Sequence, residues 1–237
     1  MQEKRKIKVL IVDDSDVILT SLKSFLEDYD FEVVTCADGL QGIQKTSEFK
    51  PDIIFLDLMM PNFDGIKMLQ VKKVLKEIKD IPVIVISANT AKSNVLAAIE
   101  AGADRVISKP IKDDAIIKNM NELLGADLFK ASKKTFSSTD TREVQTHLRK
   151  FFLESFPAKR QMLTEALMKR NQSLLKMIIH EIKGAGGTIG YPILTEISAD
   201  IMDRNIENQN DWMWVELKVG QLLQKIEQIK KDVKNNS

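Results

Sequence analysis

Two hydrophobic periods divide this chain, and where one gives way to the other fixes most of what it can fold into. Through the first 125 residues, short apolar runs rich in β-branched side chains recur at Lys8–Val12, Glu32–Cys36, Ile53–Leu56, Val83–Ile86 and Arg105–Ile107. Helical spacing fills the intervals at Val17–Leu26, Leu40–Glu48, Gly65–Leu75, Lys92–Ala101 and Asp113–Leu124. Strands that alternate with helices predict right-handed parallel crossovers, hence an α/β doubly wound parallel five-stranded sheet over residues 1–125. The central runs are apolar at successive positions, so helices should cover both faces. The ligand site of such a sheet lies beyond the carboxyl ends of its strands.

From Ala126 to Thr141 no period is sustained, and the segment 126–141 reads as a linker rich in Ser, Thr and Lys. Residues 142–237 are helical throughout, with candidates at Glu143–Ser155, Ala158–Met168, Gln172–Ile189, Pro192–Ile206 and Asp211–Lys231. Asn171 and Asn210 can cap helix starts, and Pro192 suits a first turn. Short breaks between such helices predict an all-α four-helix bundle with one extra helix.

The composition is that of a soluble globular protein, 43% hydrophobic and 29% charged over 237 residues. Residues 1–125 carry 17 basic and 20 acidic side chains and the remainder 18 and 14, a total net charge of +1. No clustered arginines mark a recognition helix, which argues against DNA as a partner. Cys36 is the single cysteine, so no intrachain disulfide can form. No apolar run reaches the roughly 20 residues of a membrane helix, and the charged start has no signal-peptide core. Membrane insertion is not expected, and the expected location is cytoplasmic.

Chemistry-bearing side chains fall at the ends of the apolar runs. Asp13 and Asp14 follow the first, Asp57 ends the third, Ser87 the fourth, and Lys109 follows the fifth before Pro110. Three converging carboxylates repel unless a cation is present. A hard divalent cation resolves this, and Mg²⁺ suits two carboxylates, a backbone carbonyl and waters. One free carboxylate, a lysine and a hydroxyl beside such a cation are suited to phosphoryl transfer, with the carboxylate as nucleophile. Taken singly these residues mean little, since Asp at a strand end is often a helix cap. Their co-occurrence carries the reading.

Residues 8–124 resemble a response-regulator receiver domain, with KVLIVDDS, IIFLDLMMPNFDGI, VIVISA and ISKP in order. The resemblance implies a flavodoxin-like fold in which Asp57 is the phosphoacceptor. It implies that Asp13, Asp14, Asp57 and the Met59 carbonyl organise Mg²⁺, and that Ser87 and Lys109 contact the phosphoryl group. Two positions depart from the family pattern. Val106 stands where an aromatic switch residue is usual, and Met59 cannot orient a hydrolytic water through its side chain.

A second motif runs from His180 to Gly190, HEIKGAGGTIG. At 100° per residue, Leu174, Leu175, Ile178, Ile182, Ala185 and Ile189 cluster within about 60° of the side opposite His180. The imidazole is therefore expected to face solvent, with Lys183, Gly184 and Gly187 on its own arc. Neutral imidazole is a nucleophile, Lys183 can neutralise phosphate oxygens, and several glycines suggest the close approach of another surface. His180, Lys183, Gly184 and Gly190 match the H-x-x-K-G-x-x-x-x-x-G pattern, and residues 142–235 resemble a histidine-containing phosphotransfer (HPt) domain. That resemblance implies His180 as the phosphorylation site and Lys183 as its electrostatic partner. His147 has no such company and reads as structural, and Trp212 and Trp214 read as packing.

The expectation is a two-component phosphorelay intermediate that phosphorylates itself from a donor. It has no P-loop or kinase glycine-rich motif, hence no ATP site. Its partners would be a sensor histidine kinase or other phosphohistidine donor, and other receiver domains. One alternative is a binding module switched at Asp57, with the helical half only a docking output. An aspartate-nucleophile phosphatase is disfavoured, because Met59 stands where a second Asp is needed.

Overall fold

A computed structural model describes residues 5–60, 63–88, 91–125, 128–129 and 138–235. Most of the expected linker and the side chain of His147 lie outside the described residues. The chain divides into two compact units, Met1–Ser137 and Ser138–Ser237.

The first unit alternates β1 (Lys8–Val12), α1 (Asp16–Glu27), β2 (Glu32–Cys36), α2 (Gly39–Phe49), β3 (Ile53–Asp57), α3 (Gly65–Val74), β4 (Val83–Ser87), α4 (Lys92–Ala101), β5 (Arg105–Ser108) and α5 (Asp113–Leu124). All five strands are parallel in the order β2-β1-β3-β4-β5, so the order reverses between β1 and β3. Successive strand residues serve opposite faces. Val9, Ile11, Phe55 and Ile84 pack against Leu22, Leu26, Ile116 and Met120 of α1 and α5. Leu10, Val12, Leu56 and Val85 pack with Met68, Leu69 and Ala98 of α3 and α4. Both faces are dry, which is why the strands read as unbroken apolar runs.

Two residues of the expected linker belong to this unit. Leu128 N–H donates to Asn121 Oδ1 at 3.2 Å. The buried Phe129 ring meets Tyr29 edge-on at 4.8 Å and Phe31 at 5.2 Å between centroids.

The second unit comprises α6 (Ser138–Met168), α7 (Gln172–Thr188), α8 (Pro192–Asp203) and α9 (Gln209–Asn235). Pairs α6–α7, α7–α8, α8–α9 and α6–α9 pack, which closes a four-helix bundle. The break expected near Pro157 does not occur, and α6 continues through the proline. Phe152 and Phe156 before it and Leu163 and Ala166 after it line one buried stripe, while Pro157 lies on the exposed side. Burial of that stripe outweighs the lost helical hydrogen bond. Pro192 opens α8 and the Asn171 side chain caps α7 as expected. At α9 the capping oxygen is Asn208 Oδ1, not Asn210, and it accepts from the N–H groups of Asn210 and Asp211.

Two glycines of this unit play opposite roles. A Cβ on Gly186 would stand 2.7 Å from Thr195 Oγ1 and 2.8 Å from Thr195 N, so α8 can seat on α7 only because that atom is missing. A Cβ on Gly220 would meet nothing within 4 Å. Gly186→Ala should therefore destabilise the second unit by about 1–3 kcal/mol, and its Tm should fall by roughly 4–8 °C per kcal/mol. Gly220→Ala should stabilise it by about 0.5–1 kcal/mol through helix propensity. Thermal unfolding of the two full-chain variants checks both signs.

Candidate functional site

The carboxyl ends of β1, β3, β4 and β5 meet at one edge of the first unit. Register pairs Val12 with Leu56, Asp57 with Ile86 and Ser87 with Ser108, so the residues that follow β1 and end β3 and β4 arrive side by side. Asp13 is 1% exposed and Asp57 fully buried. The Asp13 N–H donates to Cys36 O at 3.1 Å, and its Oδ1 accepts from Ser15 N at 2.9 Å. Asp57 Oδ1 accepts from Met59 N at 3.3 Å.

Lys109 ties the two acids together. Its Nζ lies 2.8 Å from Asp13 Oδ2 and 2.9 Å from Asp57 Oδ2, with a side chain only 3% exposed. Its own N–H donates to Ser87 O at 2.9 Å, which fixes the root of the lysine to the end of β4. The Ser87 side chain is itself buried, and Asp14, half-buried, contributes a buried Oδ1. Met59 is exposed between the buried Leu58 and Met60.

The charges do not balance. Asp13 and Asp57, both buried, share the one Lys109 ammonium. Burial pushes the Asp13 carboxyl up to about 6, with Lys109 opposing and Asp57 adding to the rise. Burial alone would lower the Lys109 pKa, but Asp13 and Asp57 outweigh it and the group is held above its ordinary value. Uncompensated negative charge on hard oxygen ligands fits a divalent cation.

One residue that shapes this edge had escaped attention. Gly65 opens α3, and a Cβ there would stand 2.2 Å from Asp57 O and 2.8 Å from Leu58 Cα. The helix start thus leans directly on the backbone of Asp57. Its sequence signal is the Asp-Gly pair at a helix start, a pair that also fits an ordinary turn.

In the second unit, α7 carries His180, Lys183, Gly184 and Gly187 on neighbouring arcs of one helix. Ile179 and Gly184, on either side of His180 around the helix, are buried. Both flanks are occupied by neighbours. Glu181 pairs with Lys159 of α6, and the Lys183 carbonyl accepts from Thr195 Oγ1 of α8 at 2.9 Å. The α7–α8 contact also accounts for Gly186.

Comparison with known proteins decides the family. The model described as "Response regulator receiver domain" matches residues 9–121, and the model described as "Hpt domain" matches 147–232. The chemotaxis protein CheY of Listeria monocytogenes is 37% identical over 117 residues, 49% of this chain and 97% of that protein. The chain belongs to the response-regulator receiver family and carries an Hpt domain. The transcriptional regulatory protein PrrA of Mycobacterium tuberculosis is 35% identical over 117 residues, and the chain spans only 49% of its length. The solved chemotaxis response regulator CheY4 of Vibrio cholerae is 26% identical, covers 50% of this chain and 99% of its own, and superposes with a TM-score of 0.48. Among the described residues, no helix is long and apolar enough to cross a membrane.

The receiver's acid cluster has a measurable consequence. Asp13 moves from the usual 3.8 to about 6, so the folded receiver keeps a proton that the unfolded chain releases between those values. The contribution of this group to stability is greatest below the lower value and is lost as pH rises through the upper one. Asp13→Asn should therefore raise the stability of the metal-free receiver at neutral pH, by on the order of 1–2 kcal/mol. It should also flatten the change in stability between about pH 4 and 6. Thermal unfolding in EDTA across that range checks both.

Proposed function

We propose that this chain is a two-component phosphorelay intermediate whose receiver takes a phosphoryl group on Asp57 and whose Hpt domain exchanges one at His180. The observation that carries the reading is the Lys109 ammonium, fixed between Asp13 and Asp57 at the carboxyl ends of the strands. A carboxylate oxygen of Asp57 attacks phosphorus, and the bond to the donor's imidazole nitrogen or acyl oxygen breaks. Lys109 would neutralise the phosphoryl oxygens, and the Ser87 hydroxyl would bond one of them. Asp13, Asp14, Asp57 and the Met59 carbonyl would hold Mg²⁺, whose charge supplies the remaining neutralisation.

The return step uses the opposite polarity. The neutral imidazole of His180 attacks the phosphorus of an aspartyl phosphate, and the carboxylate leaves. Lys183, one turn along α7, neutralises the transferred group. Donors would be a sensor histidine kinase or another phosphohistidine protein, and acceptors the receiver of this or another chain. A site in the cytoplasm fits such partners. All steps are transfers between nucleophiles, and none requires a nucleotide.

The test is labelled acetyl phosphate with Mg²⁺, followed by acid and base treatment of the bound label. Wild type should carry acid-labile, base-stable phosphate, and both Asp57→Ala and His180→Gln should lose it. Base-labile label alone, unaffected by His180→Gln, would mean that the two domains serve separate partners or that the Hpt domain is a passive output.

Met59 sets a second expectation. An exposed thioether cannot hold a water in line with the phosphoryl group, so the aspartyl phosphate should hydrolyse slowly. In a His180→Gln background, Met59→Asn should shorten its lifetime by up to about tenfold, the effect of roughly 1.4 kcal/mol on the barrier. A wild-type lifetime of seconds would contradict this.

A further inference from the structure

In the connection from β3 to α3, which carries the Met59 carbonyl, the described residues Leu58 and Phe63 are each met by a glycine. At Leu58 it is Gly65, already described. At Phe63 it is Gly39, the first residue of α2. A Cβ on Gly39 would lie 2.6 Å from Phe63 O and 2.8 Å from Phe63 Cδ1, with Asp64 O at 3.5 Å. The main-chain oxygen is the decisive neighbour, because a carbonyl cannot rotate away as the end of a side chain can.

Gly39 is not there for its backbone. Among the described residues the positive-φ glycines are Gly102, Gly125 and Gly190, and Gly39 is an ordinary buried helical residue. In a helix, glycine is about 1 kcal/mol worse than alanine. The space against Phe63 is what the missing Cβ provides.

The start of α2 is itself anchored to the acid pair. Asp38 Oδ1 accepts from Leu40 N at 2.8 Å and Gln41 N at 2.9 Å, which holds the first turn to the end of β2. Two residues before Asp38, Cys36 O accepts from Asp13 N at 3.1 Å. A short path therefore runs from Asp13 across one hydrogen bond to Cys36, along the chain through Asp38 to Gly39, and across a close contact to Phe63.

We infer that Gly39 is a positioning residue for the cation site: its bare Cα sets how closely the Met59 segment approaches Asp13 and Asp14. This inference rests on the cation-dependent reading given above. Gly39→Ala must displace Phe63 O outward or tilt α2, and either movement opens the distance between the carboxylates and the Met59 carbonyl.

Gly42 supplies the control on the same helix. A Cβ there would meet Met68 Sδ at 2.9 Å, Met68 Cε at 3.0 Å and Val12 Cγ2 at 3.0 Å, all ends of side chains in the core. Gly42→Ala strains α2 without pressing on the Met59 segment.

The experiment is calorimetric titration of Mg²⁺ into the full chain, with folding of each variant followed by circular dichroism. Gly39→Ala should weaken Mg²⁺ binding by about tenfold, the scale of lost support behind a metal ligand, while Gly42→Ala stays within about twofold of wild type. Phe63→Ala removes the ring that seats on Gly39 and should also weaken binding, which keeps the test open if Gly39→Ala does not fold. Asp13→Ala reports on the underlying reading, since it should abolish binding. Wild-type affinity in both Gly39→Ala and Phe63→Ala, with Asp13→Ala impaired, would overturn the role of Gly39 and leave the cation site standing. Absence of Mg²⁺ binding by wild type would overturn both.

Discussion

The receiver is organised around one buried ammonium. Lys109 is almost inaccessible to water, and a charge in such a place must have partners close by or the fold does not tolerate it. Asp13 and Asp57 are those partners, at 2.8 and 2.9 Å, and they come from strands that neighbour each other only because the order is β2-β1-β3-β4-β5. The sheet registers, the bond from Lys109 N to Ser87 O and the seating of α3 on Asp57 all serve to bring these groups to one place. A shift of one residue in β1 would turn Asp13 to the other face of the sheet.

Close approach is the second theme, and both domains obtain it by omitting a Cβ. Gly39 and Gly65 admit Phe63 and Asp57 in the receiver, and Gly186 admits the first turn of α8 in the Hpt domain. In each case the neighbouring atom is or includes main chain, which repacking of side chains cannot relieve. Gly220, by contrast, faces open space. Glycine content alone therefore does not distinguish a packed approach from an empty one.

That distinction also marks how much was legible in the sequence. The strands could be read because a sheet buried on both faces gives continuous apolar runs, and Asp13, Asp57, Ser87 and Lys109 could be read because each sits at a run's end. The HPt pattern was legible because helical spacing puts His180, Lys183 and Gly184 on neighbouring arcs. What could not be read depends on neighbours distant in sequence. Pro157 is a helix breaker by local rules, and only the buried stripe from Phe152 to Ala166 keeps α6 whole. Asn208 and Asn210 are equally good caps in isolation, and the loop before α9 chooses between them. The sequence places the apolar arc of α7 in one stripe, whereas Ile179, beside His180 around the helix, is buried too.

The same ammonium constrains the order of events on the phosphorelay reading. Lys109 can bond a phosphoryl oxygen only by loosening its hold on Asp13 or Asp57. Asp57 must in any case surrender charge when it becomes an acyl phosphate, since one oxygen is then esterified. Asp13 undergoes no such change. It stays a buried acid whose ionised form already suffers from burial, and without the lysine it would lose the ammonium that opposes that burial. Loosening Lys109 is therefore costly unless another cation has first taken up the charge of the Asp13–Asp14 pair. The receiver's competence for transfer is thus set by charge balance at Asp13 as much as by the reactivity of Asp57.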